Sequence, residues 1–307
     1  MKIAFCFPGQ GSQQVGMGRA VAEAFPEARA VFDEASSAAG FDVARLCFEG
    51  PIDDLTRTEL QQPALVATSL ACLRAVETAG IRADYVVGHS VGEYSALAAA
   101  GAVTDRDAVG LVRARGEAMA EAAGEHPGAM AAVLGLEDAV VEELCAAIEG
   151  VWPANYNCPG QLVVSGENAA VDRLVEEASK RGARRTVKLR VSGAFHSPLV
   201  ARAVERLRPA IGRVSWREPA PPFMSTVTAR LESAARIGSV LLDQLTAPVR
   251  FTQAVRELVG QGVGVFVEIG PGQVLSGLLR RCDRSLTTVS VGDPDGIRKL
   301  EETLSAV

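Results

Sequence analysis

Gly88-His89-Ser90-Val91-Gly92 sets a serine between two glycines, after the short apolar run Asp84-Tyr85-Val86-Val87 and ahead of small residues from Ser95 to Gly101. The run before it reads as a buried strand and the run after it as a helix closed by Gly101. In that setting Gly-x-Ser-x-Gly is the spacing of a nucleophile elbow, a tight strand-to-helix turn that lifts a serine hydroxyl out at a helix N-terminus. Ser90 is the candidate nucleophile. The competing role for such a serine is a simple helix cap, and the strand before and helix after favour the nucleophile.

A serine hydroxyl needs a general base, most often histidine, and the chain has three. His89 precedes Ser90 and points to the other side of the elbow strand, where it packs or bonds structurally. His126 sits in a solvated Pro-Gly loop. His196, in Ser192-Gly193-Ala194-Phe195-His196-Ser197-Pro198, lies where the chain re-enters its larger domain beside an expected cleft, and it takes the base role. No acidic residue stands out as a third member. A backbone carbonyl would serve instead, if it accepted from the ring N–H facing away from Ser90.

An oxyanion formed at Ser90 needs two N–H donors, one from the residue after the serine and one from a loop after another strand. Val91 and Gln10 fill those places. Gln10 belongs to Pro8-Gly9-Gln10-Gly11-Ser12-Gln13, a glycine-rich loop with neither a P-loop lysine nor a dinucleotide fingerprint. Arg115 is the remaining singular residue. It falls inside the apolar stripe Ala108, Leu111, Val112, Ala118, Met119 and Ala122, so a buried guanidinium is expected there. Either a structural ion pair, a snorkelling side chain or an anionic ligand would satisfy it.

These residues need a scaffold, and the pattern supplies one. Strands are expected at 2–7, 84–88, 223–226, 263–269 and 287–291, with helices near 20–39, 63–79, 104–123, 198–211, 235–245, 248–260 and 274–281, Thr104 capping the third. Strands alternating with helices indicate an α/β fold with a parallel sheet. Between 124 and 192 the order becomes β-α-β-β-α-β, the split pattern of a ferredoxin-like unit, with Val187, Leu189 and Val191 alternating against polar neighbours in its last strand. The expected organisation is a hydrolase-like parallel-sheet domain, 1–123 and 193–307, with an inserted ferredoxin-like small domain, 124–192.

The 307 residues carry 48% hydrophobic and 22% charged side chains and a net charge of -6, which argues against nucleic acid as partner. No apolar stretch reaches the roughly 18 residues that cross a bilayer, and Met1 to Phe7 is too short for a secretory signal, so a cytoplasmic location is expected. The six cysteines are scattered without a C-x-x-C pair, so neither zinc nor a disulfide framework is expected. Basic residues cluster twice, at Lys180, Arg181, Arg184, Arg185, Lys188 and Arg190, and at Arg280, Arg281 and Arg284.

Six motifs in order, Phe7-Pro8-Gly9-Gln10-Gly11-Ser12-Gln13, Gly88-His89-Ser90-Val91-Gly92-Glu93, Arg115-Gly116, Asn157-x-Pro159-Gly160-Gln161, Ala194-Phe195-His196-Ser197 and Glu268-x-Gly270-Pro271-Gly272, give the chain a sequence that resembles the malonyl-CoA:acyl carrier protein transacylases over nearly its full length. The resemblance implies that Ser90 takes a malonyl group from the CoA thioester with His196 as base, the amides of Gln10 and Val91 hold the oxyanion, and Arg115 binds the malonate carboxylate. It implies that the Gln244 main-chain carbonyl orients the histidine, and that the phosphopantetheine thiol of acyl carrier protein then receives the group, with no bound cofactor. By the same resemblance Asn157 and Phe195 contact substrate, and Phe195 goes with malonyl rather than methylmalonyl. Other members move different extender units or carrier-bound acyl groups, and some hydrolyse acyl thioesters, mostly without the arginine. Because carrier proteins are acidic, Arg184, Lys188 and Arg190, or Arg280 and Arg281, are the expected docking cations.

Overall fold

The computed structural model describes residues 1–306. Its strands are β1 (Lys2–Phe7), β2 (Tyr85–Gly88), β3 (Ala129–Leu134), β4 (Val151–Cys158), β5 (Gln161–Gly166), β6 (Arg185–Lys188), β7 (Phe223–Ser225), β8 (Arg230–Glu232), β9 (Val263–Ile269) and β10 (Thr287–Val291). They form two sheets. The first, in the order β10-β9-β1-β2-β7-β8, is parallel except for the terminal β7–β8 pair. The second, β4-β5-β3-β6, is antiparallel throughout. That order, with helices Asp138–Ala147 and Asn168–Lys180 as crossovers, is the ferredoxin-like arrangement expected from the pattern.

Strand β2 is buried along its whole length, as a central parallel strand covered on both faces must be. It ends level with β1, Phe7 opposite Gly88, so the loops after these two strands emerge side by side at the carboxyl edge of the sheet. Those loops hold Gln10 and Ser90. The long helix Asp105–Glu125 begins under a Thr104 cap, whose hydroxyl accepts from the Asp107 N–H at 3.0 Å, and it buries the expected stripe with Arg115 in it.

Several expected elements shift. The helix expected at 20–39 is two, Arg19–Ala24 and Pro26–Ala39, because Pro26 starts a new helix after extended Phe25. The helix expected to start at Pro63 starts at Thr58 and contains that proline. Pro63 has no N–H to give the Glu59 carbonyl four residues back, and Arg113 Nη1 donates to that carbonyl instead at 3.0 Å. Strand β6 stops at Lys188 rather than Val191: after one further bond, Leu189 N–H to Met130 carbonyl at 2.9 Å, the chain leaves the sheet to cross back. The short helices Val43–Glu49 and Ile52–Leu55 and the edge strand β8 were not expected from the pattern.

Candidate active site

The elbow is built from close contacts that only glycine permits. A Cβ on Gly88 would collide with the Glu93 main chain, and one on Gly92 with the Phe7 carbonyl. Between them Ser90 takes φ 52°, in the left-handed region that non-glycine residues avoid. His196 does the same at φ 58°, and its N–H donates to the Leu245 carbonyl at 3.2 Å. Only one other non-glycine residue among those described, Ala229, has positive φ, so strained backbone concentrates at the candidate nucleophile and base.

Ser90 Oγ lies 2.8 Å from His196 Nε2. On the far side of the ring, Nδ1 lies 2.9 Å from the Gln244 carbonyl and 3.2 Å from the Ala247 carbonyl. A carbonyl only accepts, so Nδ1 carries the proton and the lone pair of Nε2 faces the serine hydroxyl. Burial, reinforced by the charge of Arg115, pushes the His196 pKa down to about 3, so the ring is neutral. The loop holding both carbonyls is itself tied to the small sheet: Val249 N–H donates to the Ala154 carbonyl and Tyr156 N–H to the Val249 carbonyl, each at 2.8 Å.

Arg115 is wholly buried beside the serine. Its Nη2 donates to Ser90 Oγ at 3.2 Å and to Gln244 Oε1 at 2.9 Å, and its Nη1 to Gln62 Oε1 at 2.8 Å, while Nε has no partner among the described residues. Among the described residues no carboxylate pairs with it directly, so of the roles open to this arginine neither the ion pair nor snorkelling is the one observed. Two carboxamide oxygens stand where the two oxygens of a carboxylate would be matched by a guanidinium fork.

The loop after β1 presses on the elbow, and a Cβ on Gly9 would meet the His89 carbonyl. Among the described residues neither the Gln10 nor the Val91 main-chain N–H donates to another protein group. The Gln10 side chain is held by Gln61. A cavity of about 70 Å³ opens here. Gln10, His89, Ser90 and His196 line it from the parallel sheet, and Met130, Asn155, Leu189 and Val191 from the small domain side, with Phe195 as a further apolar wall. Asn157 is not in that lining: its Oδ1 lies 2.9 Å from His89 Nε2, and this contact explains the histidine of the elbow as a structural one. His126 is at the exposed end of its helix, away from the cavity.

The two basic clusters are regrouped by the fold. Arg184 joins Arg280, Arg281 and Arg284 around one hollow of about 380 Å³, whereas Lys188 is paired with Asp172. Glu268 caps the helix after β9, accepting from the Leu275 and Ser276 N–H groups at 2.9 and 2.8 Å, so that conspicuous motif acid serves the fold.

A model of the acyl transferase domain matches residues 4–295. The malonyl CoA-acyl carrier protein transacylase of Bacillus subtilis is 44% identical over 308 aligned positions, 99% of this chain and 97% of that protein. The chain belongs to the malonyl-CoA:acyl carrier protein transacylase family. The Staphylococcus aureus transacylase is 39% identical, covering 98% of this chain and 99% of its own length. Among solved structures of the family, an acyl-carrier-protein S-malonyltransferase from Bartonella henselae superposes with TM-score 0.95 at 41% identity, covering 99% of this chain and all of its own. A type II PKS acyl-carrier protein in complex with its malonyl-transacylase gives TM-score 0.95 at 37% identity, with 99% and 100% coverage. As in other members, the fold pairs a parallel-containing sheet with a separate antiparallel one. Within the described residues no helix is long and apolar enough to cross a membrane.

The residues that sequence reasoning missed are Gln61, Gln62, Glu93 and Asn155. Gln61 and Gln62 are buried early in a mostly buried helix, just ahead of the apolar run Pro63 to Ala67, and two amides in that place are the available signal.

Proposed function

We propose that the chain moves a malonyl group from CoA to the phosphopantetheine thiol of acyl carrier protein by way of a malonyl-Ser90 ester. The observation that carries this reading is Ser90 Oγ held between a neutral imidazole at 2.8 Å and a buried guanidinium at 3.2 Å. His196 Nε2 takes the hydroxyl proton as Oγ attacks the thioester carbonyl. The N–H groups of Gln10 and Val91 hold the resulting oxyanion. When the C–S bond breaks, the sulfur of CoA leaves with the proton from Nε2. In the second half the carrier thiol gives its proton to Nε2, its sulfur attacks the ester carbonyl, and Ser90 Oγ departs and recovers the proton. The Gln244 and Ala247 carbonyls keep the ring in the tautomer both halves need.

Arg115 supplies the preference for a carboxylated acyl group, its fork turning from the two carboxamides to the malonate carboxylate. A neutral acyl chain offers it no acceptor. The apolar wall of Phe195, Met130 and Leu189 and the small cavity favour a short chain and leave little room for water at the ester. Asn157 supports this site at one remove, through His89. Docking of an acidic carrier is assigned to Arg184, Arg280, Arg281 and Arg284, which share one hollow. The reading is tested by incubating the protein with malonyl-, methylmalonyl- and acetyl-CoA and weighing it intact. A malonyl adduct on the parent that is absent from Ser90→Ala supports it, and an adduct that persists without Ser90 refutes it.

A further inference from the structure

Glu93 follows the elbow directly and takes no part in the steps above. It is wholly buried, yet its carboxylate accepts from four groups: the Thr226 main-chain N–H at 2.5 Å, the Thr226 hydroxyl at 2.8 Å, the Ser225 hydroxyl at 3.2 Å and Gln244 Nε2 at 2.5 Å. Gln244 in turn touches Ser90, Arg115 and His196. Its Nε2 also donates to the Ser90 carbonyl at 3.1 Å, its Oε1 accepts from Arg115 at 2.9 Å, and its main-chain carbonyl accepts from His196 Nδ1 at 2.9 Å. A carboxamide has one donor end and one acceptor end, and its neighbours decide which way it lies. An ionised carboxylate only accepts. Glu93 therefore draws the nitrogen of Gln244 to itself and leaves the oxygen facing Arg115.

We propose that Glu93 is a positioning residue for malonyl transfer, acting through Gln244: it fixes the carboxamide that faces Arg115 and steadies the carbonyl that orients His196. Its charge has a second effect. Among the described residues Arg115 has no carboxylate in hydrogen-bond reach, and Glu93 lies just beyond the Gln244 carboxamide, so the buried guanidinium is balanced across one amide rather than by direct contact. Direct pairing would spend the fork that the substrate carboxylate needs. Balance at one remove keeps the arginine charged while leaving Gln244 Oε1, a neutral and displaceable acceptor, as the group that the incoming carboxylate replaces.

The proposal rests on the roles given above to Ser90, His196 and Arg115, and its test separates the two. Formation of the malonyl-Ser90 adduct is followed by rapid quench and intact mass over a range of malonyl-CoA concentrations, for the parent, Glu93→Gln, Glu93→Asp and Ser90→Ala. Glutamine at 93 keeps the shape but removes the acceptor-only character, so Gln244 loses its preferred orientation. The acylation rate at saturation falls by up to about a hundredfold, the half-saturating concentration changes little, and Glu93→Asp recovers part of the rate. A merely structural role would instead reduce the fraction of protein that reacts and leave that fraction as fast as the parent. A saturating rate in Glu93→Gln equal to the parent's overturns the proposal while leaving the site reading intact, and an adduct on Ser90→Ala overturns the site reading itself. Should Glu93→Gln not accumulate as folded protein, Gln244→Leu breaks the same link and keeps the main-chain carbonyl: slowed acylation supports the proposal, and a parent-like rate overturns it.

Discussion

Ser90 Oγ and His196 Nε2 meet at 2.8 Å with both residues in left-handed backbone, φ 52° and 58°. Neither conformation is favourable alone, at an expected cost of about 1–3 kcal/mol each. Tight glycine contacts at 88 and 92 impose the first, and the Leu245 carbonyl that accepts from His196 N–H helps hold the second. The third partner of this serine-histidine pair is a pair of main-chain carbonyls rather than an acid, so among the described residues no carboxylate orienting the imidazole stands ready to occupy the Arg115 guanidinium in place of an incoming anion.

Removing Arg115 leaves two buried carboxamide oxygens, on Gln62 and Gln244, without their donor. Arg115→Ala is expected to lose malonyl transfer, to gain some transfer of neutral acyl groups, and to lose about 1–3 kcal/mol of stability for each acceptor left unpaired. Arg115→Lys keeps the charge but not the fork, and is expected to bind malonyl-CoA poorly. Acylation rates with malonyl- and acetyl-CoA, together with denaturant melts, check both. Undiminished malonyl transfer by Arg115→Ala would contradict the assignment.

Main-chain donors are reached by moving the loop that carries them. In Gly9→Ala the new Cβ meets the His89 carbonyl, so the loop shifts and carries the Gln10 N–H away from the oxyanion. The loss of one such donor lowers kcat by about 10²–10³, and Gly9→Ala is expected to approach that range with little change in malonyl-CoA binding. Single-turnover acylation set beside equilibrium binding to Ser90→Ala-Gly9→Ala separates the two effects.

The acid limb of the acylation rate is expected to belong to Glu93 rather than His196. Burial lifts the Glu93 carboxyl to about 7 against its four hydrogen bonds, with Arg115 and Tyr94 as ionisable groups coupled to its charge, whereas His196 is held at about 3. As pH falls through about 7, Glu93 gains a proton and turns a donor toward Gln244, so acylation slows, while His196 stays neutral down to about pH 5. Single-turnover rates between about pH 5.5 and 8.5 should show this limb in the parent and not in Glu93→Gln. A limb near 6.5 that survives in Glu93→Gln would mean that His196 titrates as an ordinary imidazole.

Docking is expected to follow the regrouped arginines. Charge reversal at Arg281 or Arg284 should raise KM for the carrier, more so at low salt, and leave Ser90 acylation unchanged. Reversal at Lys188, already paired with Asp172, should matter less. Equal effects from Lys188 and Arg281 would argue against the shared hollow as the docking surface.

Much of this site was legible from local signals. The elbow announces itself through its glycines, three histidines make a short search, and Arg115 stands out as a cation in an apolar stripe. What stayed hidden depends on groups distant in sequence. Pro63 read as the start of its helix because its missing N–H is harmless there. Only the approach of Arg113, 54 residues away, satisfies the Glu59 carbonyl and lets the helix begin at Thr58, which brings Gln61 and Gln62 to the site. The union of Arg184 with Arg280, Arg281 and Arg284 is likewise a product of tertiary packing. Glu93 gives no local sign of its role, because an acid in a helix's first turn is ordinary and its four hydrogen-bonding partners lie in segments about 130 and 150 residues on.

The central claim, that Ser90 holds a malonyl group for a thiol and not for water, is tested most directly by isolating the malonyl-protein and adding carrier bearing its phosphopantetheine arm. Intact masses should show the malonyl group leaving the protein and appearing on the carrier far faster than the adduct decays alone, with no such transfer to carrier lacking the arm. Loss of the adduct to water at the same rate with and without carrier would contradict the account.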